Sequence, residues 1–316
     1  VARRQGSPKD VVIALLTDFG TADGYVGAMK GVILGLNPRA CLVDVTHEIP
    51  PQDVRGGAFV LHTVHRYFPA RTVLLVVVDP GVGTERAAVI LDTGPALFVA
   101  PDNGLLSFVL AEAKALSPES RVLEAGARKL KTQNPALGTQ HSGPSTQDPA
   151  LRTQNPELSA PLPPGWRAVR IAEPRFWLPN PSTTFHGRDI FAPVAAHLSL
   201  GEPVEGFGPA MDTLKAFPVP TPRLLPDGQV EGEVLHVDRF GNLITNLRAE
   251  DLPRGEMVVE VAGHRIRGLR PTYAGGVGLV ALVGSSGYLE IALPGGSARA
   301  EIGQGVGMLV RVMGME

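Results

Sequence analysis

The sequence predicts an α/β N-terminal domain followed by an all-β C-terminal domain. The first is a mainly parallel sheet with helices on both faces, the second a small antiparallel barrel or sandwich. Three observations predict it. Apolar runs of strand length alternate with helical patterns in the first half. Short alternating strands separated by Gly-rich turns fill the last third. A Pro-rich stretch divides the two regions, and 316 residues suit two domains at roughly 150 residues each.

In chain order, 11–16 is a continuous apolar run ended by Thr17-Asp18-Phe19-Gly20. Helical spacing follows over 24–36 and stops at Asn37-Pro38. A second strand is expected at 40–45, a helix at 53–68 closed by Pro69, and a β-branched central strand at 72–78. Strands at 87–92 and 96–100 and a helix at 105–116 complete the alternation. Strands apolar throughout imply a sheet covered on both faces. At 132–158, Thr132-Gln-Asn-Pro-Ala-Leu137, Thr146-Gln-Asp-Pro-Ala-Leu151 and Thr153-Gln-Asn-Pro-Glu-Leu158 repeat one hexapeptide. The units are too short for a solenoid and too polar to form a core, so an insertion in the 1–207 domain is expected. A helix at 190–198 follows, then a linker at 208–228. In the 229–316 domain, strands are expected at 232–237, 256–261, 278–283, 288–293 and 306–310.

Composition excludes several functions. Charge is balanced, net −2, which gives no electrostatic reason to expect nucleic acid or an anionic membrane as partner. No apolar run approaches the roughly 20 residues of a membrane helix, and residues 1–10 carry no apolar signal core. Cys41, the single cysteine, rules out an intrachain disulfide framework and a cysteine-based zinc cluster. A cytoplasmic protein is the expectation.

In open parallel sheets ligands bind outside the carboxyl ends of the strands. Three polar turns fall at such ends: Thr17-Asp18-Phe19-Gly20, Asp79-Pro80-Gly81-Val82-Gly83 and Pro101-Asp102-Asn103-Gly104. An Asp there often caps the next helix, but three together indicate a polar pocket along one sheet edge. Asp79 and Arg86 read either as a structural ion pair or as a carboxylate and guanidinium beside a reacting centre. The glycines match neither a Walker loop nor G-x-G-x-x-G, so nucleoside triphosphates and NAD are unsupported. His186, in Phe185-His186-Gly187-Arg188-Asp189, is a packing or capping residue or a catalytic one; no metal-ligand spacing such as H-E-x-x-H is found, and no metal is expected. In the second domain Asp238-Arg239-Phe240-Gly241-Asn242 is either a hairpin turn or a ligand site. In the second case Phe240 offers a stacking face and Asn242 paired hydrogen bonds. Gly284-Ser285-Ser286-Gly287 is suited to a carboxylate.

Taken in order, these five segments (Leu16 to Gly20, Val78 to Gly83, Pro101 to Gly104, Phe185 to Asp189, Asp238 to Asn242) resemble the SAM hydroxide adenosyltransferases. These are adenosine-forming SAM hydrolases related to the SAM-dependent fluorinase and chlorinase. The resemblance spans nearly the whole chain and is interrupted only by the repeats. It implies a homotrimer with S-adenosylmethionine (SAM) as substrate, bound between one subunit's α/β domain and its neighbour's β domain, and no cofactor. Asp79, Arg86 and His186 match the family's water-activating triad, and Asp18 its ribose-binding aspartate. Asp238 and Ser285 match the residues holding the methionine amine and carboxylate, with a one-residue shift open at Ser285. Asn242 matches the adenine reader; Asn103 and Phe240 complete the expected substrate contacts.

The implied reaction is in-line attack of water or hydroxide on the ribose 5′ carbon, releasing adenosine and methionine. A sulfonium leaves as a neutral thioether, so no general acid is needed. Arg86 stabilises developing hydroxide, while Asp79 orients, or accepts a proton through, His186. A halogenase needs no such triad, and fluorinating relatives carry serine at the position of Gly187. A SAM-binding sensor would keep Asp18, Asp238 and Asn242 without it. A methyltransferase would carry a glycine-rich loop after the first strand.

Overall fold

The computed structural model describes residues 11–115 and 158–315; the repeat segment lies outside them except for Leu158. The described residues form two compact units, 11–115 with 158–218, and 219–315.

In the first unit the strands are β1 (Val12–Thr17), β2 (Cys41–Thr46), β3 (Thr72–Val77), β4 (Ala88–Asp92), β5 (Ala96–Pro101), β6 (Leu158–Pro161), β7 (Arg167–Arg170), β8 (Ala210–Met211) and β9 (Thr213–Ala216). Its helices are α1 (Tyr25–Leu36), α2 (Val54–Val64), α3 (Ser107–Ala115) and α4 (Ala192–Ser199). One seven-stranded sheet runs β2-β1-β3-β5-β4-β7-β8. β2, β1, β3 and β5 are mutually parallel, so four strands in a row end on the same edge. β4 pairs antiparallel with β5 and β7, which turns the far side into a meander. Every residue of β3 is buried, as its β-branched sequence requires of a strand covered on both faces.

Side chains alternate across the sheet. Ile13, Leu15, Val73, Leu75 and Val77 face a layer made by Met29 and Ile33 of α1 and Val194 and Ala195 of α4. On the opposite face α2 closes on the sheet at Gly57, where an added Cβ would stand 3.1 Å from Val78 Cγ2. Phe59 of α2 and Phe108 of α3 meet edge to face at 5.7 Å. α2 is capped as its sequence suggests, with the Asp53 side chain accepting from Gly56 N.

The second unit contains β10 (Arg223–Leu224), β11 (Val230–Val237), β12 (Leu243–Arg248), β13 (Met257–Val261), β14 (His264–Arg267), β15 (Val280–Val283), β16 (Tyr288–Ala292), β17 (Leu309–Gly314) and the short helix α5 (Ala298–Ile302). It is an antiparallel, barrel-like sheet ordered β14-β13-β17-β11-β12-β16-β15, with β10 on β11. Its core gathers Val234, Leu243, Leu247, Val259, Leu289, Ile291 and Val310.

Three local expectations differ from the structure. The Pro-rich stretch 208–228 holds strands β8, β9 and β10; each is two to four residues long, fitting between prolines that cannot donate to a ladder. The last strand starts at Leu309, not at 306, because Gly307 takes φ 82° in a turn that leaves Val306 exposed. The helix expected at 190–198 begins with a π turn over Gly187–Phe191. β12 and β14 were not expected as strands. The first hides in a motif that reads as a turn, and the second is His-Arg-Ile-Arg, whose charges sit on a sheet edge.

Leu75 is fully buried at the centre of β3. Leu75→Ala is expected to cost about 2–5 kcal/mol in urea unfolding; a loss below about 1 kcal/mol would contradict this core assignment.

Candidate active site

The parallel trio β1, β3 and β5 delivers Asp18, Asp79 and Asn103 to one edge of the sheet, each just beyond its strand end. Asp79 is bound through both carboxylate oxygens by Arg86. Nε donates to Oδ1 at 3.0 Å and Nη2 donates to Oδ2. The two side chains are 5% and 6% exposed, so the pair is desolvated and needs this fork geometry to be tolerated. Arg86 Nη2 also lies 3.2 Å from His186 Nδ1. Guanidinium has no acceptor, so the imidazole accepts at Nδ1 and, when neutral, carries its proton on Nε2. Arg86 is therefore the bridge: both Asp79 oxygens and the imidazole bond to it. The three side chains form a chain Asp79–Arg86–His186.

Local features bring these distant segments together. Gly83 has φ 78° and packs so closely on the His186 segment that a Cβ would stand 2.5 Å from the Thr183 carbonyl oxygen. Buried Asp189 accepts from Ser182 N at 2.7 Å and from Arg188 Nε at 2.6 Å, which pins the segment ahead of His186. The π turn that follows is a feature often found where a helix must re-aim a functional side chain. Phe191, fully buried, lies under the Arg86 guanidinium at 5.3 Å.

Burial pushes the Asp79 carboxyl above its ordinary value, with the Arg86 charge acting against it. Burial first, then the Arg86 charge, holds His186 below the usual imidazole value. His186 is thus a neutral imidazole at neutral pH.

Beside this chain, Phe19, Tyr25 and Phe185 form an aromatic triangle with ring centroids 5.1–6.0 Å apart. It couples the Asp18 turn to the His186 segment. Asp18 accepts from Gln52 N at 2.8 Å. Beneath it the buried Thr17 hydroxyl contacts His47 Nδ1 at 2.9 Å, and His47 Nε2 contacts Asp44 at 2.9 Å. Asn103 donates to the Val78 carbonyl at 2.9 Å and accepts from Leu105 N at 3.2 Å, so its amide ties the end of β3 to the turn before α3.

In the second unit Asp238 organises its own turn, accepting from Phe240 N (2.9 Å), Asn242 N (2.8 Å) and Asn242 Nδ2 (2.9 Å). Asn242 is buried, while Phe240 is 76% exposed and presents a free ring face. Two residues that sequence reasoning missed join them. Tyr273 donates to Glu290 Oε2 at 2.7 Å, and burial pushes the Tyr273 hydroxyl up to about 12. Burial also raises Glu290, and the nearby Asp238 charge raises it further. Glu290 presses on the Ser-Ser turn: a Cβ on Gly284 would overlap its carboxylate. Ser285 is exposed, whereas Ser286 Oγ is buried with no hydrogen-bond partner among the described residues. The available signal was a glutamate inside the otherwise apolar strand Tyr-Leu-Glu-Ile-Ala.

Comparison with known proteins follows the same division. A family model described as SAM hydroxide adenosyltransferase N-terminal domain matches residues 13–141 and 155–208, and its C-terminal counterpart matches 232–311. The chain is 39% identical to a protein of Thermus thermophilus named (R)-S-adenosyl-L-methionine hydrolase, over 95% of this chain and 99% of that one. A fluorinase of Actinoplanes is more distant, 25% identical over 77% of this chain and 74% of its own. Among solved structures, a conserved protein of Thermotoga maritima superposes with TM-score 0.73 at 31% identity, covering 95% of this chain and 99% of that one.

An NMR titration of His186 is expected to give a midpoint below about 6.5, the unperturbed imidazole value, and Arg86→Gln to raise it by removing the neighbouring cation. A wild-type midpoint at or above that value would contradict the neutral-imidazole assignment.

Proposed function

The chain belongs to the SAM hydroxide adenosyltransferase family and is a SAM hydrolase, and from that premise we propose that Asp79, Arg86 and His186 deliver hydroxide to the ribose 5′ carbon. The products are adenosine and methionine. The observation that carries this reading is the desolvated Asp79–Arg86–His186 chain.

Its polarity decides the role. Arg86 is a cation, and neutral His186 carries a donor at Nε2. Both favour a bound hydroxide over a bound water, so the triad stabilises an anion and does not act as a proton acceptor. Asp79 holds the guanidinium fork in place and offsets its charge. Hydroxide attacking a sulfonium annihilates charge, and a site closed to bulk water strengthens that attraction. In-line placement lowers the barrier further. Water gives its proton to bulk solvent before the site closes, so no triad member must take it up, and the C5′–S bond breaks as hydroxide forms the C5′–O bond.

The substrate contacts we assign rest on the family resemblance, and the geometry of the remaining residues supports them. Asp18 is placed to bind the ribose hydroxyls, with Asn103 setting the neighbouring turn. In the second unit Asp238 and Glu290 form an acidic locus suited to the methionine ammonium. Ser286, with its unpartnered buried hydroxyl, suits the carboxylate better than Ser285. Phe240 offers a stacking face for adenine, and Asn242 its remaining amide groups. We assign a homotrimer with substrate contacts from two subunits, on the strength of the family resemblance.

The halogenase alternative is weaker on two counts. The fluorinases are the more distant relatives. At Gly187, a Cβ would already lie 3.2 Å from the rings of Phe19 and Phe185, so the serine of fluorinating relatives does not fit without movement.

Chromatography of nucleosides after incubation with SAM, with and without chloride, tests the reading. Adenosine is expected in both cases, with His186→Ala and Asp79→Asn slower by about 10²–10³-fold, the range for losing an anion-stabilising contact. kcat/KM should fall as pH drops through the depressed His186 midpoint, because a protonated ring repels Arg86. A halogenated nucleoside, or full activity in His186→Ala, would overturn the assignment. Co-expressed Asp79→Asn and Asp238→Ala chains should regain activity that neither has alone; no recovery would count against shared contacts.

A further inference from the structure

We propose that the first unit carries a second, separate site: a divalent transition-metal site, best suited to zinc, formed by His62, His65 and Glu112. His62 lies in the last turn of α2, and His65 opens the 3₁₀ turn that continues it. Glu112 faces them from α3. The i, i+3 spacing puts both imidazoles on one side of the helix. His62 Nδ1 is 3.1 Å and His65 Nε2 3.4 Å from the same oxygen, Glu112 Oε2, and all three donor atoms lie within 4.8 Å of one another. Ligands about 2.0–2.1 Å from a tetrahedral zinc stand about 3.3–3.4 Å apart, which the two Glu112–imidazole separations already approach.

The donors are held. Phe108 stacks on His62 at 5.7 Å, and Phe98 meets the edge of His65 at 5.8 Å. His62 is 4% exposed, and Glu112 is 27% exposed. Two imidazoles and a carboxylate are the donor set of zinc centres that keep a fourth position open for water or a ligand. Here His65 and Glu112 both line a cavity of about 640 Å³, walled by Phe68, Phe98 and Trp166. The fourth ligand would come from that side. The sequence offers no H-E-x-x-H spacing and no metal is expected from it; the two imidazoles stand three residues apart, and the carboxylate comes from another helix.

This site is distinct from the catalytic edge. The cavity is lined by Pro69 and Ala96, at the beginnings of β3 and β5, whereas Asp79 and Asn103 lie beyond the ends of those strands. A six-residue strand spans about 20 Å.

The test is direct metal binding to the full chain after chelator treatment and dialysis. Zn(II) is titrated calorimetrically, and Co(II) is followed by visible absorption. One equivalent per chain is expected, with the absorption of a four- or five-coordinate ion. Glu112→Gln and His65→Ala should weaken binding by at least about tenfold while retaining wild-type circular dichroism and SAM cleavage. Two results would overturn the proposal: no stoichiometric Zn(II) or Co(II) binding by the wild type, or binding of unchanged affinity in both variants. Because metal uptake is read apart from SAM turnover, a failure here leaves the hydrolase reading standing, and the reverse.

Discussion

The Arg86 guanidinium is the constraint on which the candidate catalytic edge depends. It is a buried cation that satisfies a carboxylate from the end of the central strand and an imidazole from a segment 100 residues away. A desolvated charge without such partners costs several kcal/mol, so the three groups stand or fall together. The same bond fixes the imidazole tautomer. One ion pair thus sets geometry, protonation state and the sign of the local field.

The sheet makes that arrangement reproducible. Three adjacent parallel strands bring their polar turns to one edge, where β-branched interiors give way to Asp18, Asp79 and Asn103. Close backbone approach at Gly83 and the pinned Asp189 then bring in His186 from outside the strand pattern. The opposite ends of the same strands, together with α2 and α3, form an apolar cavity with its own cluster of titratable groups. A single α/β layer therefore presents two chemically different edges.

The second unit treats polar groups differently. Asp238 uses its oxygens to shape a turn, and in doing so buries Asn242 and leaves Phe240 free. Glu290, in an otherwise apolar strand, accepts a hydrogen bond from Tyr273 of the loop before β15. Glu290, raised by burial and further by the Asp238 charge, lies in an environment that gains from a bound cation, which agrees with a substrate carrying an ammonium group.

The residues alone determined the two-part architecture, since continuous apolar runs and short alternating ones demand different sheets. They also determined the strand-end turns carrying Asp18, Asp79 and Asn103, because period and punctuation are local properties. What only the tertiary structure decided depends on contacts between distant segments. That Arg86 lies between Asp79 and His186, that Ser286 and not Ser285 has the buried hydroxyl, and that Glu290 joins Asp238 all follow from packing across strands. The His62–His65–Glu112 cluster is the clearest case. Two of its members lie on α2 and the 3₁₀ turn that continues it, but the third is 47 residues beyond His65, and only the packing of α3 on α2 makes them neighbours.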